Sequence, residues 1–364
     1  MPNLTDNRTL PFLNCPGNPD VIRFAKTVAY GVIIPVVVSL TGNCFIGAIV
    51  FKTKSMHRTI NYLIVNMAMS DLLLPIFAFP RILTDLYAGY WLIDGPTGLA
   101  LCKLCYFLQD VSIAVSIQSL VLIAVDRFGA VVFPFRPPVV SSKLCPYFIF
   151  STWIVAMAIH CPYFFARKLV KIQGKLSCEL MWNDAFGESS SLKNYYIAMF
   201  IILAVIPFTL MAVLYSIIIC SLRSQKMPGG ESVNAKEQEK RVRRDRNVLK
   251  MVIAIVLGFA LCWAPFNVQA FLTFFVWDKN PAPSCGFRAF GFFALFMAYA
   301  NCAINPCICF TFSGNYRKGF KSFFECCSNK CDCGCFGSMR SQSWNLQTWS
   351  SKEDGQNVTL SSLA

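Results

Sequence analysis

LCYFLQDVSIAVSIQSLVLIAVDRF, residues 104–128, is an almost unbroken apolar run that closes on two opposite charges, Asp126 and Arg127. About 20 such residues in a helix cover the ~30 Å hydrocarbon core of a bilayer. An arginine at the centre of that core costs about 2.5–3.5 kcal/mol on insertion scales, so the pair belongs at a membrane edge. As structure, Arg127 anchors a helix end by the positive-inside rule. As function, an arginine paired with its neighbour at a helix end is a candidate switch.

Six further stretches resemble this one in length and character, and the seven candidate spans are 27–51, 60–86, 102–126, 145–166, 194–222, 248–276 and 287–312. With 364 residues, 55% of them hydrophobic and 14% charged, the chain is too apolar for an ordinary soluble protein. The connections are too short to fold by themselves. The expected fold is therefore an all-α membrane protein, a seven-helix bundle over 27–312 with a leader over 1–26 and a tail.

Basic residues set the expected orientation. Lys52, Lys54 and Arg58 follow the first span, Arg127, Arg136 and Lys143 the third, and a dense run from Arg223 to Lys250 precedes the sixth; Arg317, Lys318 and Lys321 follow the seventh. All fall on one side, which places the N-terminus outside and the C-terminus in the cytoplasm. The sequons at Asn3 and Asn7 in the leader agree, whereas that at Asn357 falls on the cytoplasmic side and is expected to stay unused. No cleavable signal peptide is evident, because the first residues are polar. The net charge of +14 points to anionic lipid head groups or an acidic partner and not to nucleic acid.

Residues 313–325 interleave basic and aromatic side chains, as an amphipathic helix on the membrane surface does. Cys326 and Cys327 follow it, and their juxtamembrane setting favours palmitoylation over zinc ligation, since the cysteines of 326–364 lack paired C-x-x-C spacing. The serines and threonines of that tail could accept phosphate. Cys15, Cys102, Cys178 and Cys285 sit at outer helix ends, where oxidation is allowed; Cys15 with Cys285 is one pairing open to them. Residues 168–180 alternate polar and apolar side chains around Gln173-Gly174 and predict a β-hairpin after the fourth span.

Polar residues inside the spans come next: Asn43, Asp71, Ser116, Asn301 and Asn305 share a height if the helices alternate in direction. Small polar residues can simply glue helices, at about 0.6–2 kcal/mol per bond. An intramembrane aspartate costs more and points to function. Pro80, Pro162, Pro207, Pro265 and Pro306 interrupt five spans and free carbonyls there, which makes hinges.

In this order and on these helices, Asn43 in TGN, Asp71 in MSDL, Asp126-Arg127-Phe128, Trp153, Pro207 with Tyr215, Phe259-x-x-Cys262-Trp263-Ala264-Pro265-Phe266 and Asn305-Pro306 make the chain resemble the rhodopsin-like (class A) G-protein-coupled receptors over about residues 27–325. Trp91 matches that family's outer-loop landmark. The resemblance implies a disulfide between Cys102 and Cys178. It implies that Arg127 binds Asp126, and also Asp245, at rest and meets a heterotrimeric G protein when the sixth helix swings out. Ile117, Pro207, Phe259 and Trp263 would form the switch above that motion, with Pro265 and Pro306 as hinges. Asp71, Ser116, Asn301 and Asn305 would form an allosteric Na⁺ site, with no other cofactor and no enzymatic activity. Receptor kinases and arrestin would act on the tail, at the plasma membrane.

Two positions depart from the pattern. Phe128 replaces the usual tyrosine after Asp-Arg, and Cys309 replaces the tyrosine that closes Asn-Pro-x-x-Tyr, so Tyr215 loses its expected partner. Gln109 stands where amine receptors carry an aspartate, and the seventh span has no lysine for retinal. Gln109 at that place resembles receptors for neuropeptide Y, RFamide peptides and orexin. A peptide ligand is therefore expected, with Gln109, Asp110, Ile113, Glu179, Asn267, Phe271, Leu295 and Tyr299 as contacts. A lipid or small polar ligand is the alternative. A transporter is disfavoured, since no internal repeat is visible and seven spans do not divide evenly.

Overall fold

The structure is a computed structural model that describes residues 19–134, 136–138, 140–224, 233–276 and 285–328. Asn3, Asn7, Cys15 and the tail from residue 329 lie outside the described residues. Seven helical segments are long and apolar enough to span a membrane: Tyr30–Lys52, Thr59–Thr84, Gly95–Val132, Cys145–Ala166, Leu192–Ser224, Val242–Phe275 and Cys285–Phe312. All seven fall in one compact unit, Met1–Ser322. The sixth belongs to a longer helix, Val233–Phe275, whose Lys-, Glu- and Arg-rich start continues the helix beyond the apolar run, as good helix formers do.

Proline explains where two spans are irregular. Pro75 and Pro207 cannot donate to the carbonyl four residues back. A π-turn runs through the first, Leu74–Ala78, and another, Ile201–Val205, lies just before the second, so the fifth span is Leu192–Phe200, the π-turn, then Ile206–Ser224. A further helix, Gly314–Ser328, follows the seventh span, and Cys326 and Cys327 fall in its last turn.

The hairpin forms as expected. Strand β1 (Arg167–Ile172) pairs antiparallel with β2 (Lys175–Leu180), with Lys168 opposite Glu179. Gln173 at φ 50° and Gly174 at φ 79° make the two-residue turn with both residues left-handed, which matches the strand twist. A disulfide joins Cys102 to Cys178 with Cα atoms 5.7 Å apart, fastening β2 to the start of the third span. Trp91 packs against both cysteines and donates its backbone N–H to the Leu176 carbonyl at 2.8 Å. Asp94 caps the third helix through the Gly95 N–H, and that bond, followed by Lys171, holds its carboxyl below the usual range.

Lipid tails are as apolar as the side chains facing them, so the bundle coheres by packing and interhelical hydrogen bonds. The third span is the hub, packing on the second, fourth, fifth and sixth. Asn66 on the second span ties three helices: it donates to Ser119 Oγ at 2.9 Å and Thr152 Oγ1 at 3.2 Å, and accepts from Trp153 Nε1 at 2.8 Å. At about 0.6 kcal/mol for each such bond in a membrane protein, Asn66→Ala is expected to cost about 2 kcal/mol. Thermal unfolding of purified protein in detergent should show a Tm several degrees lower; an unchanged Tm would remove Asn66 from the framework.

Candidate functional site

Three polar clusters lie along the bundle. The first is at the hairpin end. Arg81, one residue after Pro80, donates to Tyr106 Oη at 3.1 Å, to Gln109 Oε1 at 3.3 Å and to Tyr299 Oη at 3.3 Å; Tyr299 Oη donates in turn to Gln109 Oε1 at 3.0 Å. The Gln109 carbonyl thus has both lone pairs used, and its amide N–H groups have no partner among the described residues. Arg167 at the start of β1 lies 3.6 Å from the Tyr106 ring centroid, and Arg81 lies 4.2 Å from the same centroid. Burial holds the Arg167 guanidinium below its usual basicity, opposed first by Tyr106 and then by Asp110.

Of the expected contacts, the structure brings Gln109 and Tyr299 together directly; Asp110 lies within electrostatic reach of His160 first, then of Arg167 and Arg81. Ile113 is half-buried one turn along. Glu179 accepts from Ser177 at 2.5 Å, and Asn267 accepts from Tyr196 Oη at 3.4 Å. Leu295 packs on the cluster of Val32, Val36, Leu74, Ala78, Tyr299 and Cys302. Phe271 is 54% exposed and stacks on Phe275, apart from the Gln109 network among the described residues. Arg81 and Arg167 are the residues that sequence reasoning passed over. Arg81 was legible, because an arginine inside an apolar run is itself a functional signal.

The second cluster surrounds Asp71 at mid-bundle. Asn305 Nδ2 donates to its Oδ2 at 2.6 Å and Ser116 Oγ to its Oδ1 at 3.1 Å. Ser116 also shares a hydrogen with Ser70 at 2.9 Å, and Asn43 donates to the Cys302 carbonyl at 3.0 Å. Asp71, Ser116, Asn301 and Asn305 are all buried. The side-chain carbonyl oxygens of Asn43, Asn301 and Asn305 are buried without a hydrogen-bond partner. A carboxylate, a hydroxyl and orphaned carbonyl oxygens are the donor set of a hard monovalent cation, so Na⁺ fits the chemistry of these residues.

Along the sixth span Phe259 and Trp263 lie tilted to one another with centroids 6.1 Å apart, and Phe208, next to the buried Pro207, has its centroid 6.1 Å from that of Phe259. Ile117 is buried, and the sixth and seventh helices contain Pro265 and Pro306.

The third cluster closes the other end. Arg127 Nε donates to Asp126 Oδ2 at 3.0 Å. Asp245, expected to share Arg127, has its ion pair with Arg244 at 3.8 Å. The Tyr215 hydroxyl is buried without a partner.

Near position 309 the next helix places a buried tyrosine. Cys309 is fully buried, and Tyr316 in the helix that follows is only 1% exposed. Tyr316 Oη donates to Asn61 Oδ1 at 3.5 Å, its ring meets Phe310 edge-on at 6.2 Å, and burial, then the neighbouring Cys309, pushes its hydroxyl well above the ordinary tyrosine value. Sequence reading placed Tyr316 only on an amphipathic surface, whereas the structure buries it.

Comparison with known proteins matches residues 42–308 to the 7 transmembrane receptor (rhodopsin family) model. The chain belongs to that family of non-enzymatic membrane receptors. It is 29% identical over 311 residues to the RYamide receptor of Drosophila melanogaster, across 82% of this chain and 63% of that protein. It is also 29% identical to neuropeptide FF receptor 2 of Mus musculus, across 81% of this chain and 71% of the relative. The QRFP-like peptide receptor of Branchiostoma floridae matches at 29% across 86% and 81%.

Removing the Tyr316 ring should open Cys309 to water. In Tyr316→Ala, maleimide labelling under native conditions should gain a site that a Tyr316→Ala/Cys309→Ser variant lacks; equal labelling of the two would show that Tyr316 does not cover the thiol.

Proposed function

We propose that this chain is a plasma-membrane receptor for an extracellular neuropeptide, with its N-terminus outside, and that it activates a heterotrimeric G protein through outward movement of the sixth helix. The observation that carries the reading is the agreement of the relatives: the RYamide, neuropeptide FF and QRFP-like receptors are peptide receptors by name. The hairpin end supports it. With the Gln109 carbonyl occupied, the open face of its amide donates, and a peptide backbone or C-terminus supplies the carbonyl oxygens to meet it. Asp110 and Glu179 suit a basic side chain of the same ligand.

In this reading the ligand favours the state in which the Phe259, Trp263 and Ile117 packing is rearranged, since an agonist can only shift an equilibrium by its differential affinity. Pro265 and Pro306 absorb the bend. Arg127 then leaves Asp126 and meets the G protein. Na⁺ held by Asp71, Ser116, Asn301 and Asn305 would supply a positive charge that neutralises Asp71 in the resting state. Arrestin and receptor kinases act on the serines and threonines of the tail.

Cells expressing the chain with a promiscuous G protein should respond to members of a neuropeptide library; a response to lipids alone would overturn the peptide reading. Arg127→Ala is expected to abolish G-protein activation while surface expression and ligand binding persist, measured by radioligand and second-messenger assays on the same cells. Asp71→Asn should erase the dependence of agonist affinity on Na⁺, and equal salt responses in both forms would reject the site.

A further inference from the structure

Arg167 is the first residue of β1, where the fourth span gives way to the hairpin, and its backbone N–H still donates to the Tyr163 carbonyl in the last turn of the helix Cys145–Ala166. That bond fixes its backbone, and the Tyr106 ring, with its centroid 3.6 Å away, fixes the guanidinium. A guanidinium keeps its charge and has five N–H donors, so a half-buried one needs acceptors. Among the described residues the Arg167 side chain makes one hydrogen bond, from Nη1 to the Cys178 carbonyl at 3.3 Å. Its Nε is buried without a partner. No acid lies within ion-pair distance of it among the described residues.

Two acids are near without answering it. Glu179 pairs in register with Lys168, and successive residues of a strand leave opposite faces, so its carboxylate leaves the hairpin on the face away from Arg167, where it accepts from Ser177. Asp110 on the third span lies within electrostatic reach of Arg167, but of His160 first. What stays open is the edge formed by Nε and Nη2. Two parallel N–H groups on that edge match the two oxygens of a carboxylate, the bidentate geometry that separates arginine from lysine. The plain reading of Arg167 is a cation stacked on an aromatic ring to hold the hairpin over the third span. Stacking uses the face of the guanidinium and leaves its edge unspent. A shielded charge with part of its donor set empty is costly, and an anion from outside removes the cost.

The neighbours say which anion. Tyr106 and Gln109 are one turn apart on the third span and share a face of it, and the Gln109 amide N–H groups also have no partner among the described residues. A charge-selecting edge beside a neutral amide donor suits the end of a peptide, where a carboxylate follows a backbone carbonyl; an Asp or Glu side chain close to a chain end presents the same pair. We propose that Arg167 is a specificity-determining residue whose Nε–Nη2 edge receives a carboxylate of the ligand while Gln109 donates to the adjacent peptide carbonyl. The inference rests on the peptide reading above and adds that the ligand carries an acid group at the end that reaches the hairpin.

The test screens cells expressing the full-length chain and a promiscuous G protein with a neuropeptide library in which every member is made both as C-terminal free acid and as C-terminal amide. Each agonist is then remade with its Asp and Glu as Asn and Gln. A charged acceptor makes a bond about twice as strong as a neutral one, so one of the neutralised forms should lose about tenfold or more in potency on the parent. Loss on amidation assigns the α-carboxylate and loss on side-chain neutralisation an Asp or Glu; either supports the site. Arg167→Gln should remove the difference, weakening the charged form about tenfold and the neutralised form less than about threefold, and Arg167→Lys, which keeps the charge, should restore part of it. The retained response to the neutralised form reports that the hairpin still folds. Equal potency of charged and neutralised forms on the parent, or equal losses of both in Arg167→Gln, would overturn the inference and leave the peptide reading in place. A library without any peptide agonist would overturn both.

Discussion

A carboxylate in the middle of a membrane-spanning bundle has to be answered from within the protein, and Asp71 is answered from the third span by Ser116 and from the seventh by Asn305. Water is absent from the hydrocarbon, so the alternatives are neutralisation or a bound cation. The same need for partners draws Asn43 to the seventh span and Asn66 to the third and fourth. These bonds, more than apolar burial, decide which helices touch, because moving an apolar side chain from lipid to protein gains little.

Around that fixed centre the two ends differ in kind. At the hairpin end the charges are enclosed: Arg81 and Arg167 lie against Tyr106, and the disulfide holds β2 over the third span. At the other end the pairs are local and short in sequence, Arg127 with Asp126 and Arg244 with Asp245. Neighbouring-residue pairs do not lock one helix to another, and among the described residues the Arg246 cap on Leu222 is a side-chain bond that joins the sixth helix to the fifth there. The Tyr215 hydroxyl is buried without a partner, and the buried Tyr316 of the helix that follows the seventh span donates to Asn61 on the second span.

The seven spans and the hairpin were legible in the sequence. Span length is set by bilayer thickness, the Gln173-Gly174 turn by backbone sterics, and intramembrane polarity by the cost of desolvation, and each of these is a local property. The Cys102–Cys178 bridge came from the order of the family's landmarks. What the tertiary structure alone decided was partnership: that Arg81 and Tyr299 both donate to the Gln109 carbonyl, that Asp245 turns to Arg244, and that Tyr316 is buried and donates to Asn61. The physical reason is that periodicity says which side of a helix is polar, whereas hydrogen bonds and ion pairs depend on the rotation and height of two helices distant in the chain.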